Sequence, residues 1–316
     1  MKKNYDLIVL GGGSGGVRAA RIAASHGAKV ALCEKDRMGG TCVIRGCIPK
    51  KLLFYAANYK KSFVNSESYG WTLGKYQNNL NKFLISKNIE LKRLEKIYTD
   101  NARNSGVDIY KGEGSFIKEK TISVKNYVLR GKNIIIAVGG IPKSLNIPGF
   151  EYCLDSDKIM QLKKIPKSLT IIGAGYIAIE FAFIFSILGS KVNLLCRSKI
   201  LKNFDDNLIE YLIDSLKKNG VKIFYNMEIS NIAFKNKLKK ISFKNSAEIL
   251  LSNEILAAVG RIPNTKKLDL EKSLIKCAKD SSIIVNSKLE TNIKNIYAIG
   301  DVTNRVNLTP VAIAEG

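Results

Sequence analysis

Apolar residues in this chain gather into short blocks that stop at glycine, each followed by a stretch of helical length. Residues 6–10 read as a strand ending at Gly11, and Gly11-Gly12-Gly13-Ser14-Gly15-Gly16 leads into a helical segment over 17–26. A second strand over 28–33 ends at Glu34. The same order returns from residue 169: a strand to 172, then Gly173-Ala174-Gly175-Tyr176-Ile177-Ala178, a helix to 188 and a strand over 191–196. Gly13 and Gly175 are 162 residues apart. A shorter echo pairs Ala137-Val138-Gly139-Gly140-Ile141-Pro142 with Ala258-Val259-Gly260-Arg261-Ile262-Pro263.

Strand, glycine turn and helix in that order make a βαβ unit, so the repeat predicts an α/β protein with two tandem Rossmann-like dinucleotide-binding domains. Each is expected to hold a parallel sheet and a small antiparallel meander. The meanders are expected over 107–136 and 222–256, where apolar and polar residues alternate between Gly and Asn breaks. Two helices are expected over 48–65 and 78–104, and Pro148-Gly149 is the expected crossover. The predicted division is 1–147 for the first domain and 148–266 for the second. Residues 267–316 then return to complete the first site and begin a central domain.

Composition adds little to this picture. Hydrophobic residues make up 46% and charged residues 25% of the 316, as in an ordinary globular protein. The net charge of +24 is spread along the chain without a dense basic block, which argues against a nucleic-acid partner, although it helps capture anionic dinucleotides. Residues 7–10 are too short an apolar run for a secretory signal. The run 171–188 is broken by small residues and Glu180, which argues against a membrane span. A cytoplasmic protein is expected. Its six cysteines should then be mostly reduced, and a single histidine, His26, leaves too few ligands for a metal site.

A glycine turn between strand and helix brings backbone close to a pyrophosphate, whose charge sits on the helix N-terminus. Gly11, Gly13, Ser14, Gly15 and Gly16 form this turn in the first copy. Glu34, 18 residues past Gly16, is placed to accept from a ribose diol such as the adenosine end of FAD. In the second copy Gly173, Gly175 and Ala178 form the turn, but the position matching Glu34 is Cys196, followed by Arg197 and then Lys202. Loss of the acid and gain of cations suit a 2′-phosphate, so NADP(H) is expected there.

Directly after the first unit comes Gly39-Gly40-Thr41-Cys42-Val43-Ile44-Arg45-Gly46-Cys47-Ile48-Pro49-Lys50. Four residues between the cysteines fit about one helical turn, close enough for a reversible disulfide, and a helix N-terminus favours a thiolate. With both nucleotide motifs, this run resembles the flavoprotein disulfide reductases and, among them, the glutathione reductases. The likeness covers essentially the whole chain. It implies that Cys42 is the interchange thiol attacking glutathione disulfide and Cys47 the thiol beside the flavin. It implies that Lys50 and Glu180 are an ion pair near the flavin's reactive nitrogen, and that Tyr176 covers the nicotinamide pocket. Thr41, Gly139, Gly300 and Asp301 join the flavin set by the same likeness, with Asp301 on the ribityl chain, and Gly260 joins the NADP(H) set.

Two departures stand out: Val138 where the family has threonine, and Lys202, a point charge, where a second arginine is common. The family continues beyond Thr309-Pro310-Val311-Ala312 into a dimerisation domain carrying a histidine base. A fragment or truncated product with slowed thiol exchange is therefore expected, from a family that forms homodimers. Dihydrolipoamide dehydrogenase, mercuric reductase and a non-catalytic FAD-binding remnant are the alternatives.

Overall fold

A computed structural model describes residues 2–316. In chain order it contains β1 (Lys2–Leu10), α1 (Ser14–Ser25), β2 (Val30–Glu34), α2 (Cys47–Ser66), α3 (Leu80–Asn104), β3 (Val107–Lys111), β4 (Gly114–Lys118), β5 (Thr121–Val124), β6 (Tyr127–Ile136) and β7 (Gly140–Pro142). There follow α4 (Ser156–Ile159), β8 (Ser168–Ile172), α5 (Tyr176–Leu188), β9 (Lys191–Cys196), α6 (Asp206–Lys218), β10 (Lys222–Tyr225), β11 (Ile229–Lys235), β12 (Leu238–Phe243), β13 (Ile249–Ser252), β14 (Glu254–Ala257), β15 (Arg261–Pro263), β16 (Ile296–Ala298) and α7 (Thr309–Glu315). The chain forms two compact units, one of residues 1–48, 89–141 and 261–316, the other of 49–88 and 142–260. Among the described residues, no helix is long and apolar enough to cross a membrane.

The first unit is built on the parallel strands β3-β2-β1-β6, with β16 added beside β6. Leu10 pairs with both Cys33 and Ile136, and Ile136 with Ala298, so four strands end in line and their loops emerge together. Ile8, Leu10, Ile134 and Ile136 fill one core, while Val9, Leu32 and Val17 fill another. The reading of 107–136 as a meander needs correction. β3 lies parallel to β2 in the main sheet, and only β4, β5 and the start of β6 are antiparallel. Alternation with period two marks a strand but not the direction of its partner.

The second unit repeats the scheme with parallel strands in the order β10-β9-β8-β14 and a separate antiparallel sheet, β11-β12-β13. Here too the ends of the 222–256 segment, β10 and β14, are parallel strands of the main sheet. α5 is apolar nearly all round, and eight of its residues are buried. Leu53 and Ala57 of α2 and Leu80 of α3 join its core.

Lys87 of α3 is buried, and its ammonium donates to the Met160 carbonyl at 2.7 Å. Burial pulls its pKa down to about 8 from an ordinary 10.5. The folded state therefore disfavours the charged amine. That penalty is full below pH 8 and fades as pH rises from there through the ordinary value. Lys87→Met is expected to stabilise the protein at pH 7 by about 1 kcal/mol, after discounting the orphaned carbonyl and solvent screening. Thermal unfolding should show a gain of roughly 2–4 °C. The gain should disappear on moving to alkaline buffer, and a loss at pH 7 would contradict this reading.

Candidate redox and dinucleotide site

The first glycine loop is folded by contact rather than by capping. Gly13 is the N-cap of α1 without a side-chain cap, leaving the helix N–H groups to a ligand. Gly11 has φ +106, and a Cβ there would strike the Ala137 carbonyl oxygen. In the second unit Gly173 has φ +135 and lies in the same way against the carbonyl of Ala258. The Ala-Val-Gly echo thus has a physical cause: in each copy its alanine backs the first glycine of the nucleotide loop. Gly16 lies against the Gly11 carbonyl oxygen, whereas Gly15 makes room for α7, whose Ala312 oxygen would be 2.6 Å from an added Cβ. Ser14, partly exposed, begins α1.

Glu34 ends β2, and its two carboxylate oxygens accept from the backbone N–H groups of Gly12 at 2.6 Å and Asp36 at 2.7 Å. It therefore fastens the loop as well as facing a cavity lined by Leu10, Gly11, Cys33 and Val138. Each oxygen keeps a second lone pair, so a ribose diol can still be accepted. Gly139, φ +66, follows β6 in open space, its carbonyl accepting from the Asn264 N–H at 3.0 Å.

The cysteine segment is pinned to this loop. Gly39 N–H donates to the Gly12 carbonyl at 2.8 Å. Gly40, φ +60, passes so close to Gly13 that a Cβ on it would be 2.6 Å from the Gly13 Cα. Residues Thr41–Arg45 then make a turn of π-helix, Gly46 breaks it, and Cys47 opens α2. This differs from the single helical turn that the spacing suggested. The five-residue step from Cys42 to Cys47 matches the wider π-helical repeat, and such turns concentrate at functional sites. Thr41 is exposed at the start of the turn, and Arg45 pairs with Asp36.

Cys42 and Cys47 are not joined by a disulfide in this structure. The hydrogen bond that Cys42 shares with Cys47 pushes its thiol above the ordinary value, and burial adds to this, while Thr309 pulls the other way. The Thr309 hydroxyl lies 3.8 Å from the Cys47 sulfur. Thr309, 262 residues from Cys47, is a site residue that no spacing could have revealed. Tyr98 and Arg21 escaped notice in the same way. Burial raises the Tyr98 phenol, with Cys42 raising it further and Arg21 opposing, so Tyr98 lies within electrostatic reach of Cys42 on one hand and of Arg21 on the other. Three other cysteines are buried: Cys33 and Cys153 are pushed up to about 12 and Cys196 to about 11, which leaves them inert. His26 ends α1 as an exposed C-cap.

Gly300 and Asp301 begin the turn after β16. The Gly300 N–H donates to Glu315 at 2.6 Å. Burial raises the Asp301 carboxyl, and Arg261 opposes this. Arg261 donates to the Gly140 carbonyl, while its Nε is buried without a protein partner. An orphaned guanidinium nitrogen, a cavity beside Glu34 and an uncapped helix N-terminus fit an anionic dinucleotide such as FAD.

In the second unit, Gly175 is the N-cap of α5 and has open space around it, while Ala178 is fully buried. Cys196 is buried at the end of β9, and Arg197 and Lys202 are exposed beyond it. Two exposed cations beside a buried cysteine, where the first copy has Glu34, suit a phosphorylated ribose. Gly260, φ +111, follows β14 in open space. Lys50 of α2 forms an ion pair with Glu180 of α5, and its ammonium sits 5.4 Å from the centre of the exposed Tyr176 ring. The structure thus brings Lys50, Glu180 and Tyr176 together.

Residues 5–316 match the family described as pyridine nucleotide-disulphide oxidoreductase. The chain belongs to this family. Its relatives include a glutathione reductase of Burkholderia cepacia, 41% identical over 317 residues, all of this chain and 70% of that protein. Another, from a Nostoc species, is 39% identical, covering all of this chain and 72% of the relative. Among solved structures, the HOCl-induced flavoprotein disulfide reductase RclA from Escherichia coli superposes with a TM-score of 0.89 at 28% identity, over 98% of this chain and 69% of that one. As a member of the family, the chain is a flavoprotein disulfide oxidoreductase whose cofactors are FAD and NADP(H).

Replacing Cys47 with alanine removes the largest cause of the raised Cys42 thiol. The pH at which alkylation of Cys42 in the reduced protein reaches half its maximal rate should then fall part-way towards 9, with burial holding the remainder. Mass mapping of the labelled peptide separates Cys42 from the exposed Cys277. An unchanged midpoint would show that Cys47 does not govern the thiol.

Proposed function

We propose that this protein reduces glutathione disulfide with NADPH, through FAD and the Cys42–Cys47 pair. The observation that carries the proposal is the approach of Thr309 to Cys42 and Cys47, which lie on a segment pinned to the first nucleotide loop, in a chain resembling glutathione reductases along its whole length. When bound, FAD supplies the means to take a hydride from the nicotinamide and deliver an electron pair to a disulfide.

The chain's own residues then carry the exchange. The Cys42 thiolate attacks one sulfur of glutathione disulfide, and the first glutathione leaves as a thiolate that takes up a proton. Cys47 attacks Cys42 in the mixed disulfide, restores the protein disulfide and frees the second glutathione. One NADPH and one proton thus reduce one glutathione disulfide to two glutathiones. A thiol held as high as Cys42 needs a proton acceptor beside it to attack at neutral pH. Arg21, within electrostatic reach of Tyr98, supplies positive charge for an anionic peptide.

Gly11, Gly13, Ser14, Gly15, Gly16, Glu34, Thr41, Gly139, Gly300 and Asp301 make up the proposed FAD set. Gly173, Gly175, Ala178, Arg197, Lys202 and Gly260 make up the NADP(H) set. Lys50, Glu180 and Tyr176 are proposed to serve the nicotinamide side. A cytoplasmic homodimer without nucleic acid or membrane as partner completes the reading, which rests on family likeness. The alternative of an NADH-linked dihydrolipoamide dehydrogenase is disfavoured by Cys196 and Arg197, which stand where an acid would be required.

Steady-state turnover of glutathione disulfide should be much faster with NADPH than with NADH. Arg197→Met should raise KM for NADPH roughly 10- to 100-fold, as expected for a lost hydrogen bond between charged groups, while leaving the NADH reaction unchanged. Cys42→Ser should abolish turnover while flavin bleaching by NADPH survives. Turnover by Cys42→Ser at the wild-type rate, or a preference for NADH, would overturn the proposal.

A further inference from the structure

The cavity beside Glu34 is also lined by Lys35, Glu113 and Lys267, three charged residues that the nucleotide motifs do not include. They come from distant parts of the chain: Lys35 just after β2, Glu113 in the turn between β3 and β4, and Lys267 in the segment after β15. One Glu113 oxygen accepts from the Lys35 ammonium at 2.8 Å, and the other faces the Lys267 ammonium at 3.6 Å. Their side chains are 44%, 34% and 74% exposed, so the charged ends stand at the rim, while glycines and apolar side chains wall the rest of the cavity together with Glu34 and Asn264. The paired lysines hold the Glu113 carboxyl below its ordinary range, Lys35 most strongly.

We propose that Glu113, held between Lys35 and Lys267, is the latch of the adenosine end of the FAD pocket, and that opening this ion triad governs how fast bound FAD is released. The inference rests on the flavin reading of the first unit, not on the identity of the disulfide substrate. A latch and a simple charge effect predict opposite signs. Glu113→Gln leaves two cations at the rim, which by attraction alone would hold anionic FAD longer. Loss of a latch releases FAD sooner. Solvent-exposed ion pairs are individually weak, so the effect is modest, roughly threefold.

The test uses holoprotein purified with its FAD, with release followed by the fluorescence of free FAD after dilution. At low ionic strength Glu113→Gln should lose FAD roughly threefold faster than wild type, and Lys267→Gln should be intermediate. Added salt should speed wild-type release more than the variant's and so narrow the difference between them. Unchanged or slower release from Glu113→Gln, or equal salt dependence in both proteins, overturns the latch. Wild-type protein that carries no FAD would remove the flavin reading and the latch together. FAD retention without glutathione turnover would count against the proposed function alone.

Discussion

The first unit depends on one close crossing of backbone, where Gly40 passes over Gly13. No side chain can stand between them, because the approach leaves no room for a Cβ. This contact joins the two chemically distinct parts of the unit. Gly13 caps the helix whose first N–H groups have no side-chain cap, and Gly40 leads directly into the turn that carries Cys42. Together with the Gly39–Gly12 hydrogen bond, the crossing fixes the redox pair relative to the nucleotide loop without using any catalytic side chain. Precise placement is what a two-electron relay requires, since exchange depends on the geometry of approach.

Around that crossing, single residues serve both folding and binding. Glu34 fastens the glycine loop through two backbone N–H groups and keeps lone pairs free towards the neighbouring cavity. Gly15 belongs to the nucleotide fingerprint, yet the space it leaves is taken by α7. That packing places Thr309 beside Cys47. The return segment is thereby built into the redox site as well as the sheet, with Glu315 holding the Gly300 turn.

The two units show how a duplicated scaffold diverges. Each places an alanine carbonyl behind the first glycine of its loop, as the paired Ala-Val-Gly sequences require. The end of the second strand differs. In one copy it is an acid with backbone partners, and in the other a buried cysteine followed by exposed cations. The strand register is otherwise equivalent, so the two copies differ in a few side chains past the strand ends rather than in the sheet.

Much of this was legible without coordinates, because local rules govern it. The glycine loops, their strands and helices, the Glu34 to Cys196 exchange and the Cys42–Cys47 pair follow from spacing and from what glycine alone can do near backbone. Sequence patterns could not tell that β3, β10 and β14 pair in parallel, since alternation does not reveal a partner's direction. Nor could they show that a π-turn carries Cys42 and ends just before Cys47, or that Thr309 and Tyr98 come close to the pair. Those facts arise only when segments up to 262 residues apart are packed together. Sequence separation carries no record of that distance in space, and burial and hydrogen bonding among the gathered groups set the chemistry of each.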